Sequence, residues 1–196
     1  MSAKAWNIQN SPGMAAHPTA VAEGWYFDFP APSCGRAEVC SVHYVSTPVQ
    51  MSVTTSGRVN AAFQVTASGA PIFNYRLKPD NTCDYPAHAR FYLQRKRDDL
   101  SGRGEYEFYR WFSNEVAYEL AAGDVDLSAP LTPDQWTSVF GKKGHDNSAA
   151  TLGFVQALQD LANVGFVFGG GCFYGHGVNV SGGTARFSLQ EYSINE

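Results

Sequence analysis

Apolar residues alternate with polar or small residues in short runs along most of this chain. In the run 24–29, Trp25, Phe27 and Phe29 point to one side of an extended backbone, and Tyr26 and Asp28 point to the other. The same period recurs at 39–45, 60–66, 72–78, 89–95, 105–112, 116–120, 164–168, 177–180 and 184–194. Clusters of Gly, Pro, Asn, Asp or Ser bound these runs, so each run predicts a strand that ends in a turn.

One segment has helical spacing instead. Its apolar positions between residues 148 and 162 are Phe154, Val155, Leu158, Leu161 and Ala162. They fall on one side of a helix with a period of 3.6 residues, so the pattern predicts one amphipathic helix near 148–162. Asp146, Asn147 or Ser148 would supply the N-cap oxygen.

Many short strands and a single helix predict a mostly β protein. We expect a two-sheet antiparallel β-sandwich of the jelly-roll type, with the helix laid against it. No repeat and no long linker divides the sequence, so residues 1–196 are expected to form a single β-sandwich domain. Aromatic residues make up 14% of the chain and charged residues only 16%, which suits packed strands better than disorder.

Charge and hydropathy exclude two classes of partner. The net charge is −4, and the short basic run 95–97 is followed at once by Asp98 and Asp99. Because phosphate neutralisation supplies most nucleic-acid affinity, we expect no nucleic-acid partner. No apolar run approaches the roughly 20 residues that a membrane-spanning helix needs, so no membrane partner is expected either.

The location follows less directly from the sequence. The first six residues contain no apolar signal segment. We expect a secreted or periplasmic protein in its mature form, without its signal peptide and with Met1 added for expression; a cytoplasmic protein is the alternative.

The four cysteines also bear on the location of the protein, because disulfides form mainly outside the cytoplasm. Cys34 and Cys40 bracket a five-residue loop and would form one disulfide, leaving Cys83 and Cys172 to pair across the fold. Four cysteines allow three pairings, and buried free thiols are the alternative. No C-x-x-C spacing occurs, which argues against a structural zinc ribbon.

Two predicted strands combine an apolar face with a face of rings and planar polar groups. In strand 89–95 the mixed face carries Arg90, Tyr92 and Gln94, and in strand 105–112 we assign it Glu107, Tyr109 and Trp111. A pyranose ring stacks its C–H face on aromatic rings, and its hydroxyl groups bond to guanidinium, amide and carboxylate groups. The mixed faces therefore predict sugar binding; an ordinary solvated face is the alternative.

The glycine-rich segment 169–177 is a second candidate. Its glycines do not match the dinucleotide fingerprint, and no GK[ST] follows, so it is not a phosphate loop. It predicts either a crowded turn or a ligand-lining loop that presents Tyr174 and His176. The predicted ligand-binding residues are therefore Arg90, Tyr92, Gln94, Glu107, Tyr109, Trp111, Tyr174 and His176.

Metal and catalytic signals are weak. The five histidines form no H-x-H or H-E-x-x-H pair, and no G-x-S-x-G occurs. We assign no catalytic residue and no metal ligand, and we expect no cofactor apart from a structural calcium ion. Calcium would use the oxygen ligands of Asp80, Asn81 and Asp84 or of Asp124 and Asp126, although such residues also favour turns.

The closing third of the chain resembles the last strands of secreted jelly-roll carbohydrate-binding modules. The resemblance lies in the strand 164–168 with the glycines that follow it, in the turn 175–178, and in the strand 183–194. It implies glycan binding and a structural calcium ion.

Three functions are compatible with these patterns. The first is a non-catalytic domain that binds a polysaccharide or oligosaccharide. The second is a polysaccharide lyase or glycoside hydrolase on the same scaffold, with His43, Tyr92 and His176 among the groups for proton transfer, or with Glu105 and Glu107 as paired carboxylates. The third is a structural or protein-interaction sandwich. If the first function is correct, we expect Trp111→Ala to abolish glycan binding and to leave the fold intact. Unfolding of this variant would instead show that Trp111 belongs to the core.

Overall fold

The computed structural model describes residues 2–10, 14–32, 40–75, 86–171 and 174–196. Within these ranges it contains twelve strands and one α-helix, α1 (Ser148–Gln159). The strands are β1 (Asn7–Asn10), β2 (Met14–Ala16), β3 (Thr19–Val21), β4 (Gly24–Asp28), β5 (Val42–Met51), β6 (Arg58–Tyr75), β7 (Ala87–Arg95), β8 (Arg110–Glu119), β9 (Gly123–Pro130), β10 (Trp136–Ser138), β11 (Leu161–Gly170) and β12 (Val178–Asn195). The predicted mostly β class with one helix is confirmed.

All the described strands join one antiparallel sheet that folds into two facing layers. The first layer has the order β10-β8-β7-β11-β5-β1-β2, and the second has the order β3-β4-β12-β6-β9. The layers are continuous at one corner, where Val42 of β5 pairs with Val178 of β12. The architecture is that of a β-sandwich, and the finer jelly-roll connection stays a prediction.

Aromatic rings fill the space between the layers. Phe187 of the second layer lies at the centre. Its ring centroid is 4.7 Å from that of Phe63 in the same layer and 5.3 Å from that of Phe166 in the first layer. The predicted alternation holds in β4, where Trp25 and Phe27 point into this core. Burial of this apolar surface is the main force that holds the layers together.

Helix α1 packs against the first layer and begins as the sequence predicts. The Asn147 side chain accepts a hydrogen bond of 2.9 Å from the backbone N–H of Ala150, which identifies it as the N-cap. The helix buries Phe154 and Leu158. It ends earlier than predicted, because Asp160 leaves the helical conformation and Leu161 already begins β11.

Several strand boundaries differ from those predicted. Residues Gly104–Phe108 form a 3-10 turn, so only the end of the predicted strand 105–112 belongs to β8. Strands β6 and β12 each run through a glycine-containing stretch that was predicted to separate two strands, and they pair along most of their length. Strand β9 was not predicted; its alternating Asp124, Val125 and Asp126 lie in a stretch that resembles a turn.

The remaining fold-level expectations concern cysteines and membranes. Cys40 is disulfide-bonded, and the structure describes no free cysteine. Cys34, Cys83 and Cys172 lie outside the described residues, so the pairing stays a prediction. The described helices include none that is long and apolar enough to cross a membrane.

Candidate functional site

The register of the first layer places the polar side chains of β7 on its outward surface. Tyr92 pairs with Phe112 of β8, and Gln94 pairs with Arg110 of β8 on one side and Asn163 of β11 on the other. Paired residues of neighbouring strands point to the same face of a sheet. These side chains therefore point away from the core, together with Arg90, which lies two residues before Tyr92.

Four aromatic rings form a row across this outward surface. The Tyr44 centroid lies 4.8 Å from that of Tyr92, Tyr92 lies 6.0 Å from Phe112 with nearly parallel planes, and Phe112 lies 5.7 Å from Tyr174. Strand β11 separates Tyr44 on β5 from Tyr92 on β7, and it carries Gly165 beside Tyr92. Because glycine has no side chain, the two tyrosine rings meet above β11. We call this surface the ring face, and it comprises Tyr44, Arg90, Tyr92, Gln94, Arg110, Phe112, Asn163 and Tyr174.

A polar network holds one end of the ring face in place. Asn163 Nδ2 donates to Gln94 Oε1 at 2.7 Å, and Gln94 Nε2 donates to Asp98 Oδ2 at 2.9 Å. The same carboxylate oxygen lies 2.8 Å from Arg110 Nε, in an ion pair whose side chains are almost fully buried. These contacts fix the amide and guanidinium planes before any ligand arrives.

Arg90 occupies the other end of the ring face. Its Nη2 donates to the carbonyl oxygen of Gly171 at 2.7 Å, and its Nη1 lies 3.4 Å from that of Gly170. Its guanidinium carbon lies 4.4 Å from the centroid of Tyr174, a cation–π distance. Burial lowers the pKa of Arg90 to about 10, so the side chain stays charged at neutral pH.

The tyrosine hydroxyls of the ring face stay protonated well above neutral pH. Burial raises the pKa of Tyr44, and the nearby Arg110 guanidinium only partly opposes it. Burial raises the pKa of Tyr92 well above its usual value, and it raises that of Tyr174. These phenols are suited to donate hydrogen bonds rather than to remove protons.

Solvent reaches the ring face mainly at its edges. Tyr92 and Phe112 are 4% and 3% exposed, so they form the floor. Tyr44, Gln94, Asn163 and Tyr174 are half-buried and present accessible atoms. Val139 also packs against the ring cluster. A ligand would therefore contact the edges first.

Trp111 does not belong to this surface, contrary to the sequence-based assignment. It pairs with Leu93, whose side chain points inward, and it is fully buried. Its ring packs on Phe108 and on Phe154 of α1, and its Nε1 donates to the carbonyl oxygen of Phe108 at 2.9 Å. The predicted open face was therefore wrong for β8, where Arg110 and Phe112 are the outward residues.

Glu107 and Tyr109 also fall outside the ring face, because the chain that carries them is not part of a strand. Glu107 lies on the 3-10 turn, 3.4 Å from Lys142 Nζ. Tyr109 follows that turn, with the Arg95 guanidinium 4.7 Å from its ring centroid. The structure thus brings Arg90, Tyr92, Gln94 and Tyr174 together and leaves Glu107, Tyr109 and Trp111 elsewhere.

His176 lies in the turn that follows Tyr174 and is half-buried. Gly175 and Gly177, on either side of it, have φ angles of +72° and +86°, which glycine adopts without strain. The described residues 174–177 of the glycine-rich segment therefore form a tight turn, and this turn places Tyr174 on the ring face.

The structure places only part of the expected calcium ligands. Asp80, Asn81 and Asp84 lie outside the described residues. Asp124 accepts a hydrogen bond of 2.6 Å from Gln64 on the second layer. Among the residues that the structure describes, no three His, Cys, Asp or Glu side chains are grouped so as to hold a metal ion.

Sequence reasoning missed four residues of the ring face, Tyr44, Arg110, Phe112 and Asn163, and it also missed Asp98, which pairs with Arg110. Tyr44 and Asn163 belong to strands β5 and β11, which are far apart in the chain and become neighbours only through the sheet order. The alternation of Asn163, Gly165 and Val167 on one side of β11 was the available signal. Comparison with known proteins adds no further residue, since no family model and no curated protein matches this chain.

Proposed function

We propose that this protein is a non-catalytic carbohydrate-binding domain and that the ring face holds a polysaccharide or oligosaccharide. The observation that carries the proposal is the row of four rings on an outward sheet surface, bordered at both ends by planar polar groups. An ordinary solvated face would carry separate charged side chains instead. The weak resemblance of the closing strands to jelly-roll carbohydrate-binding modules agrees with this proposal.

The binding mode follows from which atoms are accessible. A sugar ring would stack against the half-buried rings of Tyr44 and Tyr174, and its hydroxyl groups would bond to Gln94 and Asn163. Because existing hydrogen bonds already order these amides, little side-chain entropy is lost on binding. We expect a short surface of this kind to bind with a Kd from micromolar to millimolar, which corresponds to a binding free energy of roughly −4 to −8 kcal/mol.

The two enzyme versions have less support than the binding domain. Glu105 accepts a hydrogen bond from Tyr109, and Glu107 pairs with Lys142, so these carboxylates are engaged on a 3-10 turn away from the ring face. A lyase would need a tyrosine that loses its proton readily, and the pKa values of Tyr44 and Tyr92 are raised.

We also propose that the protein works outside the cytoplasm, in the secreted or periplasmic space. The disulfide at Cys40 supports this, because disulfides persist mainly in oxidising compartments. A structural calcium ion near residues 80–84 remains part of the proposal.

A panel of glycans tests the function. We expect at least one plant or microbial polysaccharide to retard the protein in affinity electrophoresis, and its oligosaccharides to give a Kd from micromolar to millimolar in calorimetric titration. A heat-unfolded sample serves as the control for non-specific retention. Uniform absence of binding across neutral and acidic glycans contradicts the proposal and favours the protein-interaction alternative.

A further inference from the structure

The ring face contains buried hydrogen-bond donors that have no acceptor. Among the described residues, Arg90 Nε, Arg110 Nη2 and the Thr137 hydroxyl are buried without a hydrogen-bond partner. Thr137 of β10 pairs with Phe112, so its side chain points to the same outward surface. Arg90, Arg110 and Thr137 are 4%, 7% and 2% exposed. Three unsatisfied donors therefore lie around the same row of rings.

The charges of the ring face are also unbalanced. Arg90 and Arg110 each carry a positive charge, and in the described part of the chain Asp98 is the one carboxylate that pairs with either of them. Arg90 is held by two backbone carbonyls and by the Tyr174 ring, which are neutral. A buried guanidinium without a carboxylate is costly, and an incoming anionic group would offset that cost.

We infer that the saccharide bound by the ring face carries carboxylate groups, as uronic acid residues do. This inference rests on the proposed function and names the substrate class of the same site. Carboxylate oxygens match the guanidinium fork in geometry and charge, and they would accept from the donors that now lack partners. A neutral sugar would stack on the rings but would leave the positive charge of Arg90 uncompensated.

Tyr174 lies beside the proposed carboxylate position. Its ring covers the guanidinium, and its hydroxyl donates to Asn114 Oδ1. The Tyr174 ring keeps its place as a stacking surface for the sugar, and the ligand carboxylate would approach the Arg90 guanidinium at the edge of this ring.

The test compares each acid with its own neutral derivative. Oligomers of galacturonate, glucuronate and mannuronate are titrated calorimetrically beside their methyl esters, which keep the rings and hydroxyls and lose the charge. For at least one pair we expect the acid to bind 10-fold or more tightly, with affinity falling as salt is raised. Equal or tighter binding of the esters, or binding of neutral glycans alone, overturns the inference and leaves glycan binding intact. No binding to any glycan overturns the proposed function, and the inference with it.

A matched pair of variants tests whether the ligand accepts a hydrogen bond from Thr137, another of the donors without a partner. Thr137→Val removes a buried hydroxyl without a partner, and we expect a folded protein that binds the acid several-fold more weakly. Ser138→Ala removes a second buried hydroxyl without a partner, but Ser138 pairs with Trp111 and faces inward. Affinity for the acid should not change in this control. Equal effects of both substitutions on binding, or none, contradict a contact between the ligand and the Thr137 hydroxyl.

Discussion

Replacement of Trp111 by alanine is expected to lower the free energy of unfolding by about 3–5 kcal/mol. The side chain is fully buried between the first layer and α1, where it contacts Phe108 and Phe154. Truncation would leave a cavity and remove the donor that now satisfies the Phe108 carbonyl. Urea denaturation followed by circular dichroism measures the loss.

Two controls separate burial from surface effects. Trp111→Phe keeps most of the apolar volume and should cost markedly less than alanine. Tyr109→Ala changes a half-buried ring beside the same strand and should cost no more than about 1–1.5 kcal/mol. A Trp111→Ala protein that keeps its stability and loses glycan binding would show that the inward register of β8 is wrong.

Gly165→Ala is expected to destabilise the protein by about 3 kcal/mol or more. A Cβ atom at this position would overlap the carbonyl oxygen of Val45 and lie 2.7 Å from the Ser46 Cα, both of which are backbone atoms. Strand β11 cannot move away easily, because it is hydrogen-bonded to β5 on one side and to β7 on the other. Thermal unfolding of the purified variant measures the effect.

Gly104→Ala is the matched control for Gly165→Ala. Gly104 also has a positive φ, +60°, but no atom lies within 4 Å of the position that its Cβ would take. Its substitution therefore reports only the conformational cost, about 1–2 kcal/mol. Equal losses for the two variants would mean that β5 and β11 are not packed as closely at Gly165 as the structure shows.

Much of the fold follows from the period of two along the chain. The alternation at 24–29 predicted both β4 and its buried face, and the helical spacing with Asn147 predicted α1 and its start. The prediction of a strand at 105–112 was wrong over its first residues. Tyr106 and Phe108 alternate like strand residues, but they lie in a 3-10 turn that begins at Gly104. Tertiary context decides such aromatic segments, and local sequence does not encode it.

The candidate site was half predictable for a related reason. Polar residues on β7 identify their own outward face, since Phe91 and Leu93 are plainly apolar. On β8 both faces carry aromatic rings, so periodicity cannot tell Phe112 from Trp111. A shift of one residue in the register reverses the faces. Only the pairing of Tyr92 with Phe112 settles the choice.

The outward surface of the second layer offers the competing location for a ligand. There the Arg186 guanidinium lies 3.6 Å from the ring centroid of Tyr26 and pairs with Asp28. A groove of about 210 Å³ beside them is lined by Thr66 and Ser68, among others. None of the described residues that line this groove is aromatic, and the ring of nearby Tyr26 is already covered by Arg186.

The most direct measurement takes the oligosaccharide that binds in the glycan panel and titrates it into two variants, Tyr174→Ala and Tyr26→Ala. Each variant removes one half-buried tyrosine that stacks with an arginine, one on each outward surface of the sandwich. If the ring face is the binding site, Tyr174→Ala weakens binding about 10-fold, or about 1.4 kcal/mol, and Tyr26→Ala leaves the Kd unchanged. Loss of affinity in Tyr26→Ala alone would contradict the account and move the ligand to the second layer.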